Sequence, residues 1–343
     1  MDKIRMGVVS LGVGSYHLDA LNGIRDVEVT ALCDINEELL KQKAAEYHVP
    51  FICTDYREML GRDDIDAVTV TSPDQLHREM VVAFLEAGKH VLCEKPFALH
   101  KEDCEAMIEA GNKSGKILMV GQVVRMSQCA FVKEIIDKGV IGDVYYLESE
   151  YAHDYTLGHA SDWRKDFKNP RHPVTGGGCH AVDLLRWFAG NPTEVFAYTN
   201  KKILTDWPLD DSAICVLKFP NNVIGKVFVS TGCKRRYTMR TLVYGSKGTV
   251  IADTMDTCVS LYLAEFNGVT KFLDRNMQNI EMRLLCPPQD HNFKGELEKF
   301  VSVIKGESEN TLPGREGAAT VCVCEAIIKS AETGKAEKVS YLD

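Results

Sequence analysis

Gly12-Val13-Gly14 follows a short apolar run, Ile4–Leu11, and precedes a segment of helical periodicity. Glycines at such a junction let a backbone approach a pyrophosphate closely. The helix start that follows supplies N–H donors and the positive end of a dipole. A second apolar run, Val27–Cys33, ends at Asp34, 20 residues after Gly14 (34 − 14). A carboxylate there suits hydrogen bonds from the adenosine ribose of a dinucleotide. A full fingerprint has a third glycine where His17 stands, so the motif is incomplete. Asp34 would repel a 2′-phosphate, and Ile35-Asn36-Glu37-Glu38 brings no cation. The pattern therefore favours NAD over NADP.

The elements that must position these residues alternate in type. Ile4–Leu11, Val27–Cys33, Ala67–Val70, His90–Cys93 and Ile117–Val120 read as strands. Glu37–Tyr47 (with Asn36 as N-cap), Leu76–Ala87 and Lys101–Ser114 read as helices, the last two stopped by Gly88 and Gly115. Strand and helix at this spacing predict βαβ units and a parallel sheet. After about Gly121 the rhythm changes. Ser127–Lys138 reads as a helix. Val144–Tyr151, Glu194–Thr199, Ala213–Phe219, Gly225–Ser230, Thr241–Tyr244 and Thr249–Ala252 read as strands separated by turn signals, which predicts an antiparallel sheet. Asn292–Ile304 and Arg315–Thr333 close the chain as helices. The boundary falls near 121–126, giving domains 1–123 and 124–343.

Bulk properties narrow the class. The 343 residues hold 40 basic and 49 acidic side chains, a net charge of −9. That disfavours nucleic acid and anionic membrane as partners. No apolar stretch approaches the ~20 residues of a membrane span. The start shows no signal-peptide pattern, and the twelve cysteines contain no C-x-x-C, so free thiols and a cytoplasmic setting are expected. No compact ligand set has zinc spacing, and no metal is expected.

Longer stretches resemble the Gfo/Idh/MocA oxidoreductases. The likeness is carried by the Gly12/Gly14 turn, Cys33-Asp34, Ser72-Pro73-Asp74-Gln75-Leu76-His77 and, most specifically, Ala87 to Glu94-Lys95-Pro96. Gly142-Asp143, Trp163-Arg164 and Gly176-Gly177-Gly178-Cys179-His180-Ala181-Val182-Asp183 extend it over nearly the whole chain. The resemblance implies an α/β Rossmann domain followed by an α+β domain with a large open antiparallel sheet. It also implies a homodimer or homotetramer that covers the face of that sheet.

It further implies roles for residues. Lys95 matches the family's catalytic lysine, and His180 matches its second catalytic position. A lysine serves as base when its pKa falls toward ~7–8 through burial or nearby positive charge. Imidazole exchanges protons near neutrality. Ser72, Pro73 and His77 match a loop near the cofactor, Glu94 adjoins Lys95, and Trp163-Arg164 matches a pair near the nicotinamide. Gln122 and Arg125 follow the last parallel strand and are candidates to approach nicotinamide or substrate. Asp183, three residues after His180, shares its face on a helix over Cys179–Phe188 and is a candidate for a polyol hydroxyl. His153 and Asp154 lie in Tyr151-Ala152-His153-Asp154-Tyr155, whose polar aromatics suit a sugar. Lys234-Arg235-Arg236 reads as a solvated hairpin.

One departure stands out. Inositol-dehydrogenase-like members carry an aspartate four residues before this histidine, where the chain has Gly176. Their Lys–Asp–His arrangement is incomplete here. The expected activity is NAD-dependent hydride transfer from a secondary hydroxyl of a sugar, glycoside or cyclitol, such as C3 of a hexose. An oxidation–elimination–reduction glycosidase is one alternative, and a non-catalytic NAD-binding regulator is another.

Overall fold

The computed structural model describes residues 3–157, 162–168, 170–266, 269–270, 280–286 and 291–342. By contacts the chain forms two units. The first holds residues up to Val123 together with Asn292–Val321 and Leu342–Asp343. The second holds Val124–His291 and Cys322–Tyr341.

The first unit is built from β1 (Ile4–Val9), α1 (Gly14–Asn22), β2 (Val27–Cys33), α2 (Glu37–Tyr47), β3 (Phe51–Cys53), α3 (Arg57–Leu60), β4 (Ala67–Val70), α4 (His77–Glu86), β5 (His90–Glu94), α5 (Lys101–Ser114) and β6 (Leu118–Gly121). The strands are parallel, in the order β3-β2-β1-β4-β5-β6. Helices on both faces of a parallel sheet bury its strands completely. Met6, Val8, Val68, Val70, Val91 and Leu92 are accordingly inaccessible to solvent. The order reverses at β1, and ligands of such sheets bind beyond the C-terminal strand ends at this reversal. Gly12, Asp34, Ser72, Lys95 and Gln122 all follow C-terminal strand ends. Asn36 caps α2 as its side chain accepts from the Leu39 N–H at 3.1 Å. The three-residue β3 escapes sequence reading because it is too short to show a period.

The second unit contains α6 (Gln128–Asp137), β7 (Val144–Ala152), α7 (Pro173–Gly176), α8 (Cys179–Ala189), β8 (Glu194–Asn200), β9 (Ser212–Lys218), β10 (Ile224–Ser230), β11 (Thr238–Gly245), β12 (Gly248–Asp253) and β13 (Cys258–Leu263). A small hairpin of β14 (Glu265–Phe266) and β15 (Val269–Thr270) follows, then β16 (Ile280–Leu285). The chain ends with α9 (Phe293–Ile304), α10 (Gly314–Thr333) and β17 (Glu337–Lys338).

The large sheet has nine strands in the order β16-β13-β12-β11-β7-β10-β9-β8-β17. The turn signals predict antiparallel neighbours, and all pairs are antiparallel except β7–β10, which is parallel. No hairpin joins those two strands, so their direction is not fixed by a turn. Helices α6, α7 and α8 pack on one face. On the other, Tyr198, Ile214 and Val216 of β8 and β9 and Ile224 of β10 stand exposed.

Helix α9 packs against α1 of the first unit. Its contacts thus group it with the parallel sheet, although it follows the second unit in sequence. Among the described residues no helix is long and apolar enough to cross a membrane. The twelve cysteines are free thiols.

Candidate functional site

The turn after β1 is shaped by Asp34. Its Oδ2 accepts the Leu11 N–H at 2.5 Å and its Oδ1 the Asn36 N–H at 2.8 Å. Two backbone donors fix the carboxylate and leave lone pairs for further donors. Ser10 takes a φ of 70°, the left-handed conformation that the first glycine of a dinucleotide fingerprint usually supplies. A Cβ at Gly14 would lie 2.6 Å from Thr71 Oγ1, so Gly14 already permits the close helix–strand approach expected of a third glycine. The motif is thus shorter than its sequence reading and begins at Ser10. His17, where that reading sought a glycine, is instead buried, with Nε2 3.0 Å from Glu94 Oε1. A Cβ at Gly12 would meet nothing within 4 Å, so the space over the turn is open.

The neighbouring strand ends are tied together. His77 is fully buried, with Nε2 2.9 Å from the Ser72 carbonyl oxygen and Nδ1 3.0 Å from that of Pro96. It joins the Ser72-Pro73 loop to the turn after Lys95. Glu94 is buried, and its Oε2 accepts the Lys95 N–H at 3.0 Å. Burial alone would push the Glu94 carboxyl up. The His17 hydrogen bond and the charges of His17 and Lys95 outweigh it and hold the group below the usual range. Lys95 itself is half-buried, and the Lys95–Pro96 peptide is cis. Gln122 is buried, and its Oε1 has no hydrogen-bond partner among the described residues.

These features fit a dinucleotide. The turn is open over Gly12, Asp34 can still accept, and Gln122 carries an orphaned amide oxygen. Ile35, next to Asp34, is 91% exposed and offers an apolar surface.

In the second unit His180 lies in the first turn of α8 and is buried. Its ring stands 5.5 Å from that of His291 and 6.4 Å from that of Tyr151. The Tyr151 hydroxyl is 3.1 Å from both His153 Nδ1 and the Tyr155 hydroxyl. Tyr237 packs on the rings of Tyr151, His153 and His291. Burial and the neighbouring Tyr155 and Tyr237 push the Tyr151 hydroxyl well up, so it stays a neutral donor and acceptor. The structure therefore gathers His153 and His180 with four further rings from separate elements. Tyr237 and His291 were absent from the sequence reading, since no motif marks them and only the fold brings them to His180.

Asp183 is not aligned as a lone acceptor. It is fully buried, and Arg125 grips it with a two-pronged contact at 2.7 Å and 2.7 Å. Arg186 adds a contact at 3.6 Å. The two residues expected to touch substrate thus engage each other. Asp154 is buried and accepts from Thr156 N–H at 2.9 Å, Thr156 Oγ1 at 2.5 Å and Lys234 Nζ at 3.2 Å. Arg164 lies 5.2 Å over the Trp163 ring and 5.5 Å over that of Tyr155. A Cβ at Gly176 would lie 2.8 Å from Arg171 Nε, and Arg171 Nη2 donates to the Gly176 carbonyl at 3.0 Å. The space that a side chain at position 176 would enter is taken by a guanidinium.

Known proteins align with this architecture. A profile described as an oxidoreductase family with an NAD-binding Rossmann fold matches residues 4–122. The Gfo/Idh/MocA C-terminal domain matches residues 130–251. The chain is 27% identical over 356 residues to myo-inositol 2-dehydrogenase of Thermotoga maritima, with 98% of each chain covered. It is 26% identical to 1,5-anhydro-D-fructose reductase of Ensifer adhaerens, with 91% of each covered. A solved levoglucosan dehydrogenase in complex with NADH superposes with a TM-score of 0.89 at 20% identity, covering 99% of this chain and 100% of that one. With matches to both of its domain profiles, the chain belongs to the Gfo/Idh/MocA family and is an NAD-binding oxidoreductase.

Proposed function

We propose that the protein moves a hydride between a secondary hydroxyl of a sugar, glycoside or cyclitol and NAD, with Lys95 as general base and His180 assisting. The observation that carries this reading is Lys95 at the C-terminal end of β5. It stands on the same sheet edge as the open Gly12 turn and Asp34, with the Glu94 carboxylate anchoring its backbone. Oxidised nicotinamide, when bound, accepts the hydride. Lys95 Nζ takes the hydroxyl proton. Gly12, Val13, Gly14 and Asp34 hold the dinucleotide, assisted by Ser72, Pro73, Glu94 and Gln122, and His77 keeps two of these loops in register. Trp163 and Arg164 are assigned to the nicotinamide end by the family resemblance. His153 and His180, among tyrosine hydroxyls, supply hydrogen bonds and aromatic faces to a polyol. Arg125, Asp154 and Asp183 support that pocket from buried ion pairs. The names of the relatives, which act on inositol and anhydro-sugars, support a neutral polyol substrate.

A panel of sugars, glycosides and cyclitols offered with NAD, read by the absorbance of reduced nicotinamide, tests the proposal. Net NADH should form with at least one polyol. Lys95→Ala should abolish turnover while calorimetry shows unchanged NAD affinity. Free sugar released from glycosides without net NADH would move the assignment to the oxidation–elimination–reduction glycosidase. Full turnover by Lys95→Ala would end it.

A further inference from the structure

We infer that Glu94 and Glu296 share a single proton next to Lys95, with Glu296 the protonated partner, so that the lysine faces one negative charge and not two. The inference rests on the reading of Lys95 as the base.

Three elements of the first unit converge here. Helix α1 brings His17, the end of β5 brings Glu94, and α9 brings Glu296. One nitrogen or oxygen of each lies within 4.8 Å of the others. His17 and Glu296 are 0% exposed and Glu94 is 5% exposed. The Phe293 ring stands 5.3 Å from that of His17, with Tyr16 stacked on its outside. A Cβ at Gly121 would come within 3.4 Å of the Glu94 carboxyl carbon, so β6 also presses on the group.

The two carboxyls are treated unequally. Glu94 accepts from the His17 ring at one oxygen and from the Lys95 backbone at the other. Neither oxygen of Glu296 has a hydrogen-bond partner among the described residues. Two carboxylates this close in a dry interior cannot both ionise, and the proton goes to the one with fewer donors. The charged or titratable groups that face Glu296 are His17 from α1 and Glu94 and Lys95 from β5. Burial and the Glu94 charge push its carboxyl well up, and Lys95 opposes them without prevailing. The consequence falls on Lys95. Two ionised carboxylates would set two negative charges beside its side chain, whereas the shared proton leaves one.

Infrared spectroscopy of the whole protein without added dinucleotide is the primary test. A carbonyl stretch of a protonated carboxylic acid should be present at pH 7 and absent from Glu296→Gln. The amide copies the neutral form, so the pH midpoint of Lys95 acylation should stay within about 0.3 unit. A fall of about one unit would mean that a negative charge had been removed, and would overturn the inference. So would absence of the carbonyl band, or a stoichiometric divalent metal found by elemental analysis. The outcomes separate from those of the functional reading. Turnover by Lys95→Ala sinks that reading and leaves the band in place, whereas a missing band sinks only the shared proton.

Discussion

Asp34 receives two backbone N–H groups before any ribose reaches it. Its replacement therefore costs both the turn and the ribose contacts. Hydrogen bonds to a charged group contribute about 1.5–3 kcal/mol each, so Asp34→Ala should weaken NAD binding by about 10–100-fold in calorimetry. His172 makes a different prediction. Burial pushes its imidazole down to about 4, while its Nδ1 accepts the Val174 N–H at 3.2 Å as the cap of α7. The unfolded ring titrates near 6.5. Between those values the folded state binds fewer protons, so stability rises with pH through the window and is lost on acidification. Denaturation at pH 7 and pH 4 should show His172→Asn, which keeps a capping oxygen, spared up to about 3 kcal/mol of the wild-type loss. At this scale the sequence was most readable where chemistry needs a local motif. Asp34 could be placed by counting from Gly14, and Lys95 by its matched run. Glu296, Tyr237 and His291 could not, because their partners come from distant segments and only folding brings them near.

Element by element, the glycines before α8 decide what can pack there. A Cβ at Gly177 would enter the Tyr151 ring at 2.1 Å. Gly177→Ala should therefore lower stability by about 1–3 kcal/mol and displace the tyrosine, visible as a lowered melting temperature and altered Tyr151 fluorescence or NMR signals. The buried Arg125–Asp183 pair is a second element-level device, tying the segment before α6 to α8. Asp183→Ala removes the carboxylate that grips a buried guanidinium and should cost about 3–5 kcal/mol in denaturant unfolding. Periodicity revealed α8 itself, since apolar residues recur with helical spacing from Cys179 onward. It did not reveal β13 or β16, nor that β7 and β10 run in the same direction. Pairing between strands remote in sequence is set by the sheet and not by any turn.

For the whole molecule, the open face of the large sheet carries the strongest expectation. Strand β9 alternates strictly, with Ala213, Cys215 and Leu217 buried and Ile214 and Val216 exposed. Polar residues usually occupy the outer positions of such a strand. Apolar ones there, extended by Tyr198 and Ile224, suit a second copy of the chain. Light scattering tests this: a mass above the 38.3 kDa of one chain that falls toward it in Val216→Glu would mark this face as the interface. The sequence foretold two rhythms and two kinds of sheet. It gave no sign that α9, late in the chain, lies against α1, because the hydrophobic face of a helix does not name its partner.

Arg171 occupies the volume that a side chain at position 176 would need, so what either position can hold depends on the other. A lone Gly176→Asp would arrive in occupied space, and a lone loss of Arg171 would leave a gap beside a glycine. A library that varies 171 and 176 together should therefore reach substrate preferences that neither single-site library contains.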